Sequence, residues 1–292
     1  MKYNMCEVII ILGNGFDCDL GLDLSFNAYC HYHLCPFCCS DENFWGNFEN
    51  KIREDILEWD KNRDEEHAYE INLKWQVFMK YFSSFFTYAS DKKGLKIREN
   101  SFAYSMLRDF SENSEVYTFN YTNPYEYVEM ESGKRFHYVH GRYYSDTYNK
   151  KLMVMSQSSS MIVGIDYKRI PQSVHENYWL SLIIKQRNPS FHKTDIEEKL
   201  LNAKTVIFFG FSMGITDSDY FDEFFTAITN GTSVCENIYY ITINQESFET
   251  IKKNINRMGY DYSVIERHVK IIPIYTIQEF DNENFKRVLS LI

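Results

Sequence analysis

Glu7-Val8-Ile9-Ile10-Ile11-Leu12-Gly13-Asn14-Gly15-Phe16-Asp17 is an apolar run that ends in a Gly-x-Gly turn. Two similar segments follow far downstream, Thr118-Phe119-Asn120-Tyr121-Thr122 and Phe208-Phe209-Gly210-Phe211-Ser212. A continuous apolar run of this kind is typical of a strand buried on both faces, as in the parallel sheets of α/β proteins. Ligands of such sheets bind at the carboxyl ends of the strands, so the residues directly after these runs are the first candidates for a functional site.

The composition limits the domain organisation, partners and cellular location that the chain can have. The chain has 292 residues, 44% of them hydrophobic, which allows one large α/β domain with an insertion or two small domains. The net charge of -10 and the lack of a dense basic run argue against a nucleic-acid partner, because binding to phosphates requires cationic side chains. We expect no membrane partner, since no stretch approaches the roughly 20 apolar residues of a membrane span. Seven cysteines and the absence of a signal-peptide pattern predict a cytoplasmic protein with reduced thiols.

The order of the predicted elements indicates a Rossmann-like, mainly parallel doubly wound sheet in a single domain over residues 1–292. Between the first two strands, residues from about 20 to 112 show helical periodicity and are interpreted as a helical insertion over the carboxyl edge of the sheet. Within it, Leu73, Val77, Phe78, Phe85 and Phe86 recur at helical spacing. Strands are predicted at 7–12, 116–119, 136–139, 161–165, 205–209, 238–243 and 269–274, and helices at about 66–90, 175–201 and 283–292.

The glycines after the first strand allow two interpretations. Gly13 and Gly15 would let the backbone turn sharply and approach a phosphate closely. The third glycine of the dinucleotide fingerprint is missing, so the segment is equally consistent with a tight turn from strand to helix. Asn120, at the end of a later strand, is a candidate to fix a ribose hydroxyl or a water, or it caps the following helix.

Three further residues follow predicted strands. His140 closes the strand at 136–139 and could take a proton near neutral pH. Ser212 lies in Gly210-Phe211-Ser212-Met213-Gly214, which matches the nucleophile elbow of serine hydrolases. That mechanism needs a later histidine, and His268 precedes the last strand instead of following it. Asn244 could bind an adenosine ribose, or it caps a helix that starts near Glu246.

A cysteine cluster is the one candidate metal site. Cys30, Cys35, Cys38 and Cys39, with His31 and His33, have spacings that could hold zinc. Structural zinc sites usually use two well-separated pairs of ligands. We therefore predict neither zinc nor a disulfide here.

Taken together, the motifs resemble the AbiH-type abortive-infection proteins of bacteria, a branch of the sirtuin-like NAD-binding and NAD-hydrolase superfamily. The resemblance covers most of the chain and rests on an ordered set of segments. These are residues 12–17 with Gly21-Leu22, Phe44-Trp45-Gly46-Asn47-Phe48-Glu49, residues 118–122, Val139-His140-Gly141, Ile162-Val163-Gly164-Ile165-Asp166 and residues 210–221.

The resemblance implies an antiviral effector that hydrolyses NAD at the nicotinamide–ribose bond, with NAD as a substrate or ligand and no true cofactor. Asn120 and His140 are then the catalytic residues. Many relatives carry an acid where this chain has Thr122, although AbiH-type members commonly have Thr there. The absence of paired Cys-x-x-Cys knuckles disfavours a deacylase. The expected NAD-binding residues are Gly13, Asn14, Gly15, Phe16, Asp17, Gly210, Ser212, Asp219 and Asn244.

Two other functions stay open at this point. One is a nucleotide-binding sensor of a defence system without turnover, and the other is a serine hydrolase that uses Ser212. A phage-derived trigger and a homo-oligomer are further partners that this interpretation leaves open.

Overall fold

A computed structural model of the chain describes residues 7–22, 24, 28–29, 45–89, 95–111, 114–128, 130, 136–142, 161–165, 170–188, 191, 195–277 and 283–292. The strands are β1 (Val8–Leu12), β2 (Glu115–Thr118), β3 (His137–Tyr138), β4 (Thr205–Phe209), β5 (Asn237–Thr242) and β6 (Lys270–Tyr275). The first α-helices are α1 (Asn14–Leu20), α2 (Trp45–Asn62), α3 (Glu65–Ala89), α4 (Phe102–Asp109), α5 (Gln172–Glu176) and α6 (Tyr178–Ser181). They are followed by α7 (Ile196–Asn202), α8 (Asp222–Thr229), α9 (Gln245–Arg257), α10 (Tyr262–His268) and α11 (Glu283–Leu291). Short 3₁₀ helices cover Pro124–Glu126, Lys185–Arg187 and Ile215–Tyr220.

The chain divides into two compact units. The first contains Met1–Leu22, Leu95–Val139 and Lys193–Ile292, and the second contains Asp23–Gly94 and His140–His192. In the part of the chain that the structure describes, no helix has the length and apolar character needed to cross a membrane.

The first unit is built on a parallel sheet with the strand order β3-β2-β1-β4-β5-β6. Leu12 of β1 lies beside Thr118 of β2 on one side and beside Phe209 of β4 on the other. The predicted Rossmann-like α/β fold is therefore confirmed. The strand order runs outward from β1 to β3, and β4 lies on the other side of β1, so the switch point of the sheet lies between β1 and β4.

Both faces of the central strands are covered, which explains why their sequences are apolar at every position. On one face, the ring of Phe208 stacks on Tyr240 at a centroid distance of 5.1 Å, within a core that includes residues of α7 to α10. On the other face, Phe16 of α1 meets Phe209 edge-on at 5.0 Å.

The second unit is helical in its described residues, apart from one isolated bridge between Ile165 and Ile184. Tyr29 is fully buried among the rings of Phe78, Phe82 and Phe85 of α3, at centroid distances of 5.3, 6.1 and 5.5 Å. Helix α3 thus matches the helix predicted at about 66–90. The described residues between β1 and β2 form helices α1 to α4 and no strand, as the predicted helical insertion requires.

Two predicted elements are wrong. Residues 161–165 do not form a strand of the sheet: only Ile165 pairs, in its bridge with Ile184. The run is bent at Gly164, which has φ +149° and lies so close to the Ile183 carbonyl that a Cβ would collide with it.

The predicted helix at 175–201 is broken into α5, α6, the 3₁₀ turn and α7. Asn177 is extended and its side chain accepts a hydrogen bond from the Leu180 amide at 3.1 Å, so it ends one helix and caps the next. Asn188 is also extended, the conformation favoured for a residue that precedes a proline, here Pro189.

Candidate functional site

The turns after β1 and β4 are in direct backbone contact. The Gly13 amide donates to the Phe209 carbonyl at 2.9 Å, and the Gly15 amide donates to the Gly210 carbonyl at 2.9 Å. A Cβ on Gly13 would lie 2.6 Å from the Gly210 oxygen, and one on Gly15 would lie 2.6 Å from the Gly210 Cα. Gly210 itself has φ +61°. The three glycines are therefore required by this close approach, and two of the amides expected to hold a pyrophosphate are bonded to protein carbonyls.

Two other predicted residues of this turn have contacts inside the first unit. Phe16 is fully buried and its ring packs on Phe209, so it belongs to the core beneath the turn. The Asn14 side chain lies 3.7 Å from the Cys18 sulfur, as the donor of a weak hydrogen bond. The Phe16 contact depends on the rotation of α1 against the sheet, whereas the Asn14 contact joins residues four apart on one helix.

Asn120 connects the ends of β1 and β2. Its side-chain amide donates to the Gly13 carbonyl at 3.0 Å, and its backbone amide donates to the Thr118 hydroxyl at 3.1 Å. The side chain is almost fully buried. The strand-end amide predicted from the sequence therefore lies directly beside the glycine turn, at the switch point of the sheet.

Asp17 is the functional candidate that sequence reasoning undervalued. It lies on α1 with 1% of its surface exposed. The Thr122 hydroxyl donates to its Oδ2, while Oδ1 has no hydrogen-bond partner among the residues that the structure describes. Burial raises the pKa of this carboxyl from 3.8 to about 7, against the opposing hydrogen bonds of Thr122 and Asn120. An acid that changes charge near neutral pH, beside a strand-end amide, is typical of functional sites.

Thr122 thus has a defined role in this chain. The sequence showed it only as a departure from relatives that carry an acid at that position. In the structure its hydroxyl contacts the carboxylate of Asp17, so the local acid comes from α1 while the segment after β2 supplies the hydroxyl. The two residues are 105 apart in the chain, so no local pattern in the sequence identifies the pair.

The segment after β4 is not a nucleophile elbow. Ser212 is exposed, and its carbonyl accepts a hydrogen bond from the Asn254 side chain at 2.8 Å. The residues with positive φ are Gly210 and Met213, and the next helical turn begins only at Ile215. His268 ends α10 just before β6, at the amino edge of the sheet. The geometry that a serine hydrolase needs is absent from these residues.

The remaining predicted residues lie on different elements. Asn244 follows β5, and its Oδ1 accepts the Ser247 amide at 2.9 Å, so it caps α9. Asp219 is buried in the 3₁₀ helix Ile215–Tyr220. His140 comes two residues after β3, belongs to the second unit and is 5% exposed. The cysteine cluster at 30–39 lies outside the described residues.

A parallel sheet in this order, with a glycine turn at β1 and polar residues after the adjacent strands, defines a Rossmann-like α/β protein. The family model of the bacteriophage abortive infection proteins AbiH matches residues 9–239, and the chain belongs to this family. The membership gives the protein a role in abortive infection by bacteriophage. A comparison with curated proteins found no match.

Proposed function

We propose that this protein is an abortive-infection effector that hydrolyses NAD at the nicotinamide–ribose bond, by chemistry of the sirtuin-like type. The observation that carries the proposal is the position of Asn120. Its amide is fixed on the Gly13 carbonyl at the point where the strand order reverses, beside the buried carboxyl of Asp17. Dinucleotides bind to Rossmann-like sheets at this switch point.

The reaction replaces one bond at the ribose. Water attacks the anomeric carbon, a carbon–oxygen bond forms, and the carbon–nitrogen bond to the pyridinium ring breaks. The bonding electron pair goes to the ring nitrogen, so nicotinamide leaves as a neutral molecule, and ADP-ribose and one proton are the other products. An oxocarbenium-like positive charge develops at the anomeric carbon while these bonds form and break. Fixed dipoles and carboxylates stabilise such a charge.

Asn120 and Asp17 have separate roles in this proposal. We assign Asn120 to orient the ribose and the attacking water through its amide. Asp17 binds a ribose hydroxyl through Oδ1, the oxygen that lacks a hydrogen-bond partner among the described residues. A hydroxyl donor would satisfy that oxygen, and it would lower the free energy of the charged form of the buried acid.

The general base is assigned to His140, as the resemblance implies, so that the proton of the attacking water has an acceptor. The adenosine side is assigned to the ends of β4 and β5, with Gly210, Ser212, Asp219 and Asn244. Exposed Ile243 after β5 and Ile277 after β6 provide apolar surface at the same edge, which suits a base ring.

A second candidate function is a nucleotide sensor that binds without turnover. One observation favours it: the Asn120 amide, which the hydrolase needs for water or ribose, already donates to Gly13. Catalysis then requires that Asn120 use its second N–H or its carbonyl oxygen, or exchange partners, when the ligand binds. Binding without turnover requires neither.

The two functions are separated by measuring NAD binding and nicotinamide release on the same preparations. For the hydrolase, His140→Ala should lower nicotinamide release by about 10²–10⁴-fold, the usual loss on removal of a general base. Calorimetric binding of NAD should weaken much less. Asn120→Ala should lose turnover similarly, with some additional loss of affinity.

Matched controls are available on exposed surface of the first unit. Asn202→Ala on α7 and His268→Ala at the end of α10 remove the same side-chain types away from the carboxyl edge, and both should retain wild-type turnover. Binding of NAD by the wild type without nicotinamide release would favour the sensor. Absence of NAD binding would refute both functions.

A further inference from the structure

Helix α3 carries an apolar surface that the second unit does not use for its own core. Tyr69, Leu73 and Val77 are 45%, 46% and 37% exposed, while Trp75 and Phe78 of the same helix are buried. The three exposed residues are spaced four apart. At about 100° per residue, Tyr69 and Val77 each lie roughly 40° around the helix from Leu73, so all three are on one side. We call this surface, with Glu66 and Lys80 at its two ends, the α3 stripe.

The apolar surface continues onto α6. Trp179 joins the two helices, since its ring lies 5.0 Å from Tyr69 and 4.9 Å from Tyr178. Tyr178 is 67% exposed and Leu182 is 51% exposed. Five of the nine exposed large hydrophobic residues found in the described part of the chain therefore belong to α3 and the α6 region. A concentration of this kind marks an interaction surface more often than scattered single residues do.

The charges at the ends of the α3 stripe define which partner fits. Glu66 lies seven residues before Leu73, and Lys80 lies seven residues after it, both on exposed positions of the helix. Seven residues are close to two helical turns, so both charges point to the same side as Leu73. A second α3 packed antiparallel about a two-fold axis at Leu73 brings each Glu66 opposite the partner's Lys80. A parallel arrangement would bring like charges together.

We propose that the α3 stripe is the interface of a two-fold symmetric homodimer, with two copies of α3 packed antiparallel at Leu73. The same symmetry places Tyr69 against Val77 of the second copy, and the exposed residues of α6 border the contact. An isologous interface must be complementary to itself, and the sequence Glu66, Tyr69, Leu73, Val77, Lys80 has that property. A 25-residue helix is roughly 38 Å long, so the contact can extend along the helix on both sides of Leu73.

The test is the molar mass of the full chain by light scattering and sedimentation equilibrium, from about 1 to 100 µM protein. The wild type should be a dimer at the upper end of this range. Leu73→Asp should weaken the dimer by about 100-fold or more, since two carboxylates would be buried without partners. At a protein concentration where the wild type is monomeric, its circular dichroism and melting temperature should stay close to those of the wild type, because Leu73 is exposed within one chain.

A charge exchange tests the antiparallel register. Glu66→Lys alone and Lys80→Glu alone each turn two attractive pairs into repulsive pairs, and each should weaken the dimer about tenfold at low salt. The double variant Glu66→Lys/Lys80→Glu restores both attractions and should recover the wild-type dissociation constant. Glu223→Lys, an exposed charge reversal on α8, is the matched control and should have no effect.

Three results would overturn the proposal. They are a wild type that is monomeric at all concentrations, a dimer that tolerates Leu73→Asp, and single charge reversals that the double variant does not rescue. None of these measurements depends on NAD, so the dimer and the proposed function can fail separately.

Discussion

Replacement of Asp17 by Asn should remove a pH dependence from the stability of the protein. Asp17 is buried, and its Oδ2 accepts a hydrogen bond from Thr122. Asn has nearly the same shape and can still accept that hydrogen bond, but it cannot ionise. The variant therefore isolates the titration of this one carboxyl.

The sign follows from the direction of the pKa shift. Burial raises the pKa of Asp17 in the folded protein to about 7, above its ordinary value of 3.8. The folded state thus holds this proton more tightly than the unfolded state. The resulting stabilisation is fully present below about pH 4 and is lost as the pH rises through about 7.

The magnitude comes from the same two values. Ionisation of Asp17 lowers the free energy of unfolding by roughly 4 kcal/mol once the pH is well above 7, at about 1.4 kcal/mol per pKa unit. About 2 kcal/mol of this loss should fall between pH 5.5 and 8.5. The wild type should therefore lose about 2 kcal/mol relative to Asp17→Asn across this interval.

Urea unfolding at several pH values measures the difference between the two proteins. A constant offset reports the cost of burying the new amide, whereas the slope against pH reports the titration. Glu198→Gln, an exposed acid on α7, should run parallel to the wild type and serves as the control. A difference between wild type and Asp17→Asn that does not change with pH would refute the reasoning.

Two further predictions concern the same edge of the sheet. Thr122→Val removes the hydrogen bond that lowers the pKa of Asp17, so the pH-dependent loss of stability should move to higher pH in the same urea series. Gly210→Ala should cost about 3 kcal/mol or more, because φ is +61° and the new Cβ would collide with the backbone of Gly15 and Phe16. Gly259→Ala, where φ is +100° but no atom lies within 4 Å of the new Cβ, should cost only about 1 kcal/mol.

The central strands were predictable because a strand that is buried on both faces must be apolar at every position. The run in β1 is buried at Ile9, Ile10, Ile11 and Leu12, and all four residues are apolar in the sequence. The apolar run at 161–165 looks the same in sequence, yet Gly164 bends it out of strand geometry. Apolar character reports burial, and it does not distinguish a strand from a buried bend.

The candidate site was predictable only in part. Asn120 and Gly13 could be placed at one edge, because both follow apolar runs and parallel strands end together. The hydrogen bond between them joins residues 107 apart, and the one from Thr122 to Asp17 joins residues 105 apart. Such pairs depend on the register of β1 and β2 and on the rotation of α1, neither of which the local sequence contains.

The role of Gly13 and Gly15 could not be predicted from the sequence for the same reason. A phosphate-binding turn and a tight contact between two turns both require residues without Cβ. The choice between these roles depends on where Gly210 lies relative to Gly15, and that relation crosses the switch point between β1 and β4.

The central claim is that the protein breaks the nicotinamide–ribose bond, and the most direct measurement is the product balance of purified protein incubated with NAD. Liquid chromatography with mass detection should show NAD decreasing while nicotinamide and ADP-ribose increase in equal amounts, and Asn120→Ala should abolish most of this change. Unchanged NAD in the presence of folded wild-type protein that binds it, or equal turnover by Asn120→Ala, would contradict the account.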